Sequence, residues 1–371
     1  MFRFEKIKRF DTVLFISMVL LIILGLTIQY SLSLSTNKTG LGDFTKQCFF
    51  ALGGMVLFFL VIFIDFRLIR SSSYLIYFLS ILFLIIVLIF GETLRGTKGW
   101  LDLGFFHFQP AEMAKLAAVI ILAKFWQEAR KPLRMKHIFF SFLLIAPFVL
   151  LISQQPDLGT ALMIIFLWLG IIFLVDKNKK HFLSLLIIII VLSSLVWFLF
   201  LEDYQKNRIL SYLNFQGDPM GRDYQINQSI IAVGSGGLFG RGFGLGTQSQ
   251  LRFLPAGETD FIFAVLAEEF GFLGTSLLLI IYVFLFYRLI FLAQRVYDNF
   301  GIVLIIGTML FLFFQVFINI GMNIGLVPVV GVPLPFVSYG GSSLLFSMIA
   351  LALVESVVMY QPFTKYENMI K

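Results

Sequence analysis

The chain has 371 residues, of which 59% are hydrophobic and 13% charged, and its net charge is +7. So little polar surface excludes a soluble globular enzyme and indicates a polytopic helical membrane protein. The lone Cys48 excludes an intramolecular disulfide framework, and the three scattered histidines show no metal-ligand spacing, so we predict no metal site. The excess of basic over acidic residues is typical of a membrane protein with basic cytoplasmic loops, so we expect no nucleic-acid partner.

Apolar stretches of spanning length predict about ten transmembrane helices in an all-α fold. We expect a single transmembrane domain over residues 1–371. The first stretch follows a basic head and lacks a small-residue cleavage site, so we interpret it as a retained signal anchor. In chain order, the predicted spans cover residues 12–33, 47–66, 72–91, 108–126, 138–155, 159–175, 181–201, 260–290, 300–324 and 342–361.

The distribution of Lys and Arg predicts the orientation of these spans. Basic residues fall in the N-terminal head and in every second connection between spans. Because cytoplasmic loops are enriched in Lys and Arg, both termini should be cytoplasmic. The long connection between the seventh and eighth spans, about residues 202–259, should then be extracytoplasmic, and loops of that length are usually functional. Its glycines at 234–246 fit neither a dinucleotide nor a phosphate-loop motif, which disfavours nucleotide binding.

Asp260 stands at the predicted start of the eighth span. A Pro, a Gly and a Thr before it suit a loop that ends in a helix, and an apolar run follows it. The helix dipole would keep this carboxylate ionised and able to accept a proton, as a catalytic base must. With Glu258 and Thr259, however, Asp260 could equally serve as a helix cap.

Other ionisable and polar residues fall on the same predicted side. Glu112 and Lys115 share a helix face at i and i+3 in the fourth span. Asp157 lies at the outer end of the sixth span, and Ser342 belongs to the GVPLPFVSYGGSS run that joins the ninth and tenth spans. Ionisable residues inside spans indicate functional sites. A buried structural clamp for Glu112 and Lys115, and a simple helix start for Asp157, remain alternatives.

Chemistry on the outer face needs a donor that is already activated, because nucleotides are absent there. A lipid-linked sugar pyrophosphate is such a donor, and sugar transfer from it needs a base and cations that stabilise the leaving pyrophosphate. Buried charges would also fit a transporter. The chain, however, shows no internal repeat, and its polar motifs fall mainly on the predicted outer side. The candidate pyrophosphate partners, which could equally be solvated surface residues, are Arg95, Lys98, Arg208, Arg222, Arg241 and Arg252.

These residues lie in motifs that resemble the SEDS family (shape, elongation, division and sporulation proteins). The matching blocks follow the family order over nearly the whole chain, and the run GTQSQLRFLPAGETDFIFAVLAEEFG favours the elongation branch over the division branch. The other blocks are KGWLDLG, FQPAEMAK, QQPDLGTAL, DYQKNRILSYL, DPMGRDYQINQSIIAVGSGGLFGRG and NIGMNIGLVPVVGVPLPFVSYGGSS.

The resemblance implies a peptidoglycan glycosyltransferase that polymerises lipid II at the outer face of the bacterial cytoplasmic membrane for elongation and rod shape. It implies a class B penicillin-binding protein and the elongation machinery as partners, in a membrane lipid environment. The family's essential aspartate carries over to Asp260, its Glu and Lys pair to Glu112 and Lys115, and its span-six acid to Asp157. No cofactor is implied with certainty, and a divalent cation such as Mg²⁺ stays open. A lipid II flippase, a division-specific role and a non-catalytic scaffold are the alternatives.

Overall fold

The computed structural model describes residues 9–34, 40–94, 97–104, 106–129, 134–176, 178, 180–185, 187 and 224–361. Within these ranges eight helices are long and apolar enough to cross a membrane, so the protein is an integral membrane protein. Most of the predicted seventh span, 181–201, lies outside the described residues, as do residues 202–223 of the long loop. The helices are α1 (Thr12–Leu34), α2 (Gly40–Ile62), α3 (Phe66–Ser71), α4 (Ser73–Phe90), α5 (Pro110–Glu128), α6 (Met135–Ser153), α7 (Leu158–Val175), α8 (Tyr224–Ser235), α9 (Thr247–Gln250), α10 (Ile262–Arg295), α11 (Asn299–Asn323) and α12 (Gly341–Tyr360).

Helix α5 is the predicted fourth span, and its surroundings explain its composition. Its ionisable residues set it apart from the eight apolar spans, yet nearly every residue from Pro110 to Ala123 is buried. It packs against α4, α6, α7, α11 and α12. Because other helices surround it, α5 is rich in alanine, whose small side chain allows close helix packing.

Helices α11 and α12 complete the interior, and the remaining spans surround them. In the α12 span 83% of the residues are buried, compared with 22% in the α2 span. The large apolar side chains that α2, α4 and α6 leave exposed therefore face the lipid. A glycine in the left-handed region, Gly271 (φ 64°), interrupts α10 one third of the way along.

A small antiparallel sheet, which the sequence did not predict, lies between α4 and α5. Its strands are β1 (Glu92–Leu94), β2 (Thr97–Asp102) and β3 (His107–Phe108), in the order β1-β2-β3. Leu94 pairs with Thr97 and Asp102 pairs with His107, so short connections join β1 to β2 and β2 to β3. Strand β2 packs on the ends of α4 and α5 and covers the bundle there.

Contacts between residues that are distant in sequence define the two ends of the helix bundle. At one end the start of α1 meets α10 through an ion pair between Asp11 Oδ2 and Arg288 Nη2 at 2.6 Å, and Arg70 pairs with Asp298 at 3.3 Å. We call it the basic end, and the opposite end, which carries the sheet, the hairpin end. Described basic residues in connections or near helix termini at the basic end are Arg9, Arg67, Arg70, Lys124, Arg134, Lys136, Lys180, Arg288 and Arg295, and those at the hairpin end are Lys46, Lys98, Arg241 and Arg252.

Candidate active site

Asp260 lies at the hairpin end in a tight turn that precedes α10. The helix begins at Ile262 with Phe261 as its N-cap, so the prediction that Asp260 starts the helix is wrong by two residues. The carbonyl oxygen of Ala256 accepts hydrogen bonds from the backbone N–H of Thr259, Asp260 and Phe261 at 3.1, 3.1 and 3.2 Å. Ala256 has a φ of 57°, a left-handed conformation that a non-glycine residue adopts only when its surroundings impose it. The turn therefore depends on contacts with the rest of the protein.

Two buried asparagines of α11 hold the backbone of Asp260. Asn319 Nδ2 donates to the carbonyl oxygens of Asp260 at 2.9 Å and Val332 at 2.8 Å. Asn323 Nδ2 donates to the same Asp260 oxygen at 3.0 Å, and its Oδ1 accepts from the N–H of Ala264 in the first turn of α10 at 3.1 Å. The Ala264 N–H also donates to the Phe261 carbonyl at 3.0 Å, so Asn323 ties the first turn of α10 to the Asp260 backbone. Sequence reasoning missed both asparagines, although two amides one turn apart in an apolar span are a signal.

The segment between α11 and α12 forms the other wall of the turn. Ser338 Oγ donates to the Thr259 carbonyl at 2.5 Å, and the Tyr339 N–H donates to the Glu258 carbonyl at 2.8 Å. A Cβ atom placed on Gly331, whose φ is 66°, would lie 3.7 Å from Asp260 Oδ2. The carboxylate therefore faces a position without a side chain, where space remains beside it.

Glu112 and Lys115 pair as their spacing predicts. Lys115 Nζ and Glu112 Oε1 are 2.7 Å apart, with the two side chains 2% and 3% exposed. Lys115 Nζ also lies 5.2 Å from the ring centre of Phe311 on α11, while Glu112 Oε2 has no hydrogen-bond partner among the described residues. A buried ion pair is costly to break, because the remaining partner is left as an uncompensated charge.

Asp157 caps α7 within the electrostatic range of Lys115. Its Oδ1 accepts from the N–H of Thr160 at 3.0 Å, as the helix-start interpretation predicts. Burial raises the pKa of the Asp157 carboxyl, and the Thr160 hydrogen bonds and the charge of Lys115 oppose that rise. Gly159 lies so close to Val330 that an added Cβ would be 2.4 Å from the Val330 carbonyl oxygen. Asp157 therefore adjoins the segment that, at Gly331, faces Asp260.

Ser342 and Lys98 make contacts to the backbone. Ser342 Oγ donates to the carbonyl of His107 at 3.1 Å and accepts from the N–H of Gln109 at 3.0 Å, so it fixes the junction of β3 and α5. Lys98 Nζ donates to the Ile89 carbonyl at 3.4 Å. The candidates Arg95, Arg208 and Arg222 lie outside the described residues.

Arg241 and Arg252 are exposed and flank α9. Arg252, with a φ of 58°, lines a polar cavity of about 520 Å³ together with Asp43, Glu258 and Tyr339. Residues 255–258, which lead into the Asp260 turn, also line this cavity. Two exposed cations, Arg241 and Arg252, thus lie on the loop that leads to the candidate base Asp260.

The described residues also contain one set with metal-ligand geometry. Ligand atoms of Glu92, Asp102 and His107 lie within 4.8 Å of one another, and all three side chains are exposed. They come from three different strands, which is why spacing along the sequence does not reveal them. Exposed groups of this kind commonly carry no ion, so the set adds no step to the chemistry at Asp260.

The comparisons with known proteins agree with the resemblance found in the sequence. A family model described as "Cell cycle protein", covering FtsW, RodA and SpoVE, matches residues 11–362. The peptidoglycan glycosyltransferase MrdB of Escherichia coli K12 is 39% identical over 340 residues, which cover 91% of this chain and 92% of MrdB. Stage V sporulation protein E of Bacillus subtilis is 37% identical over 361 residues, covering 95% and 98% of the two chains.

Two solved structures share the architecture. A chain from a peptidoglycan synthase complex superposes with a TM-score of 0.80 at 34% identity, covering 95% of this chain and 99% of that one. The crystal structure of the rod shape determining protein RodA from Thermus thermophilus gives a TM-score of 0.71 at 29% identity, with coverages of 95% and 98%. The similarity thus extends over the whole length of both neighbours.

Proposed function

Because this chain belongs to the FtsW/RodA/SpoVE family of cell cycle proteins, we propose that it is a peptidoglycan glycosyltransferase that polymerises lipid II for cell elongation. MrdB, which carries that activity in its name, matches the chain over nearly the full length of both proteins. An FtsW relative named as a probable peptidoglycan glycosyltransferase is 34% identical, against 39% for MrdB, and this supports the elongation role over the division role.

We infer that Asp260 is the general base of the reaction. It takes the proton from the 4-hydroxyl of the acceptor GlcNAc, whose oxygen then attacks the anomeric carbon of the lipid-linked MurNAc. A glycosidic C–O bond forms, the bond to the polyprenyl pyrophosphate breaks with its electron pair, and the anomeric configuration inverts. The observation that supports this role is the pair of hydrogen bonds that Asn319 and Asn323 donate to the Asp260 carbonyl oxygen. These bonds fix the backbone of Asp260, and with it the carboxylate beside Gly331.

Basic side chains of the same loop would hold the pyrophosphate of the donor. Arg241 and Arg252 are exposed there and carry the guanidinium groups that pair best with phosphate oxygens. The buried pair of Glu112 and Lys115 would hold α5 in place behind the site. A divalent cation such as Mg²⁺ would add to the phosphate contacts, and inhibition by EDTA that Mg²⁺ reverses would reveal it.

We propose that the hairpin end faces outward and that a class B penicillin-binding protein is the partner. More of the described basic residues lie at the basic end, as cytoplasmic loops require, and a structural neighbour comes from a peptidoglycan synthase complex. In a Cys48→Ala background, a membrane-impermeant maleimide should label Thr93→Cys in intact cells and Arg67→Cys only after permeabilisation. The reverse pattern would overturn the orientation.

Purified protein and labelled lipid II separate the candidate functions. In detergent, without any other polymerase, a glycosyltransferase should convert lipid II into long glycan strands that a muramidase digests. A flippase or a scaffold makes no polymer under these conditions. Failure to form polymer, with and without the co-purified penicillin-binding protein, would exclude the proposed activity.

Replacing Asn319 by Leu should slow the reaction without weakening substrate binding. The variant removes one of the two hydrogen bonds to the Asp260 carbonyl oxygen and the Asn319 hydrogen bond to the Val332 carbonyl oxygen. Displacement of a catalytic group by about 1 Å can cost on the order of 100-fold in rate. We therefore expect kcat for lipid II polymerisation to fall by about 10- to 100-fold while KM stays the same. The matched control is Gln315→Leu, one turn away on the same helix. The Gln315 amide is buried and has no hydrogen-bond partner among the described residues. Equal effects of the two variants would contradict the positioning role.

A further inference from the structure

The glycine-rich segment 236–252 packs directly against α10 at its kink, around Gly271. A Cβ on Gly236 would lie 1.9 Å from the Ala267 carbonyl oxygen, and one on Gly240 would lie 2.1 Å from the Glu269 carbonyl oxygen. The Arg241 N–H donates to the Glu268 carbonyl at 2.9 Å, and the Phe272 N–H donates to the Gly237 carbonyl at 2.9 Å. The glycines thus allow two backbones to touch, and the segment is held rigidly against the helix.

The Glu268 side chain fixes the next part of this segment. It is fully buried, and its Oε1 accepts from the Gln248 N–H at 2.8 Å and from Thr247 Oγ1 at 3.3 Å. Its Oε2 accepts from the Ser249 N–H at 3.0 Å. A buried carboxylate is tolerated only when donors compensate its charge, and here three donors from α9 do so. The position of α9 therefore depends on Glu268.

The same contacts connect Glu268 to the guanidinium group of one exposed arginine and to the backbone of a second. Thr247 Oγ1, which donates to Glu268, also accepts from Arg241 Nη1 at 3.0 Å. On the far side of α9, the Arg252 N–H donates to the Ser249 carbonyl at 3.3 Å. One hydroxyl can make both bonds, because it has one proton and two lone pairs. Arg241 and Arg252 are thereby presented at the two ends of a turn that one buried carboxylate holds.

We propose that Glu268 is a positioning residue that holds Arg241 and Arg252 as a two-point receptor for the phosphate groups of the lipid-linked donor. The inference rests on the proposed function and adds a residue that does not itself touch substrate. Two guanidinium groups on a fixed turn bind a pyrophosphate without the entropy loss of ordering the loop. Disturbing Glu268 should therefore weaken donor binding while the chemistry at Asp260 proceeds.

Steady-state kinetics of lipid II polymerisation by the purified protein test this role. In Glu268→Gln an amide N–H₂ replaces one acceptor oxygen and meets a backbone N–H, so α9 shifts. We expect KM to rise about tenfold and kcat to change by less than about twofold. Thr247→Val is a milder variant that removes only the bridging hydroxyl and should also raise KM. Glu128→Gln, a substitution of the same kind at the exposed end of α5, should leave both constants unchanged.

A double variant of Glu268 and Arg241 shows whether the rise in KM of Glu268→Gln is caused by the displacement of Arg241. Arg241→Ala alone should raise KM as Glu268→Gln does, and the double variant should raise it little further, because both changes damage one receptor. An unchanged KM in Thr247→Val and in folded Glu268→Gln would overturn the inference. A multiplicative KM effect in the double variant would overturn it as well. In both cases polymerisation by the wild-type protein would leave the proposed function intact.

Anionic phospholipid headgroups offer the same chemistry, and reconstitution distinguishes them from the donor. In nanodiscs of phosphatidylcholine alone, the KM difference between wild type and Glu268→Gln should persist. If that difference appears only when phosphatidylglycerol is added, the receptor binds membrane lipid, and the assignment to the donor pyrophosphate is wrong.

Discussion

Asp260→Asn should abolish glycan synthesis while leaving the protein folded. Asparagine matches aspartate in size but cannot take up the hydroxyl proton, and removing a general base typically costs about 10²- to 10⁴-fold in rate. The backbone bonds from Asn319 and Asn323 do not involve the carboxylate, so the turn should keep its shape. In a lipid II polymerisation assay with purified protein, we expect product at or below about 1% of the wild-type amount.

Glu258→Gln is the matched control for this experiment. It removes the same charge from the same turn, and Glu258 contacts the segment before α12 through its backbone carbonyl, which the substitution keeps. We expect it to polymerise lipid II at a rate near that of the wild type, with thermal stability unchanged in both variants. Polymerisation by Asp260→Asn at the wild-type rate would remove Asp260 from the mechanism. Equal loss in both variants would assign the effect to the charge of the turn.

Local sequence signals predicted the features that depend on local chemistry. Hydropathy located the membrane spans to within a few residues for most helices, because a bilayer demands a long apolar stretch whatever the neighbouring helices are. The spacing of Glu112 and Lys115 predicted their pairing, because i and i+3 lie on one helix face in any context. Asp157 likewise caps α7 where a Pro-Asp pair marked a helix start.

The shape of the site depends on contacts that no local pattern contains. The Asp260 turn winds around the Ala256 carbonyl because Asn319 and Ser338, which are distant in sequence, hold it there. The role of Ser342 also comes from tertiary structure, since the junction it fixes lies between β3 and α5. Strands β1 and β3 are too short to give a period-two pattern, and the β2 sequence TKGWLD does not alternate between polar and apolar residues. Strand β2 instead packs on α4 and α5.

Glu112→Ala should destabilise the protein far more than the loss of one surface ion pair would. The change leaves the Lys115 ammonium buried without its partner, and breaking a buried pair in this way costs about 3–5 kcal/mol. We expect an apparent melting temperature on the order of 10 °C lower, measured by size-exclusion chromatography of heated detergent samples. The control is Glu128→Ala on the same helix, which breaks a Lys124 pair whose Glu128 side chain is 55% exposed. That change should cost less than about 1 kcal/mol.

A double replacement separates a structural clamp from a substrate role for the Glu112 and Lys115 pair. Glu112→Leu with Lys115→Met removes both charges and keeps the buried volume, a change that commonly restores the stability lost in the single variant. If the pair only clamps α5 against α11, polymerisation of lipid II should return together with the melting temperature. Restored stability without activity would show that at least one charge acts on substrate. Wild-type stability in Glu112→Ala itself would mean that Lys115 pairs with another anion, and Asp157, on which the Lys115 charge acts, is the candidate.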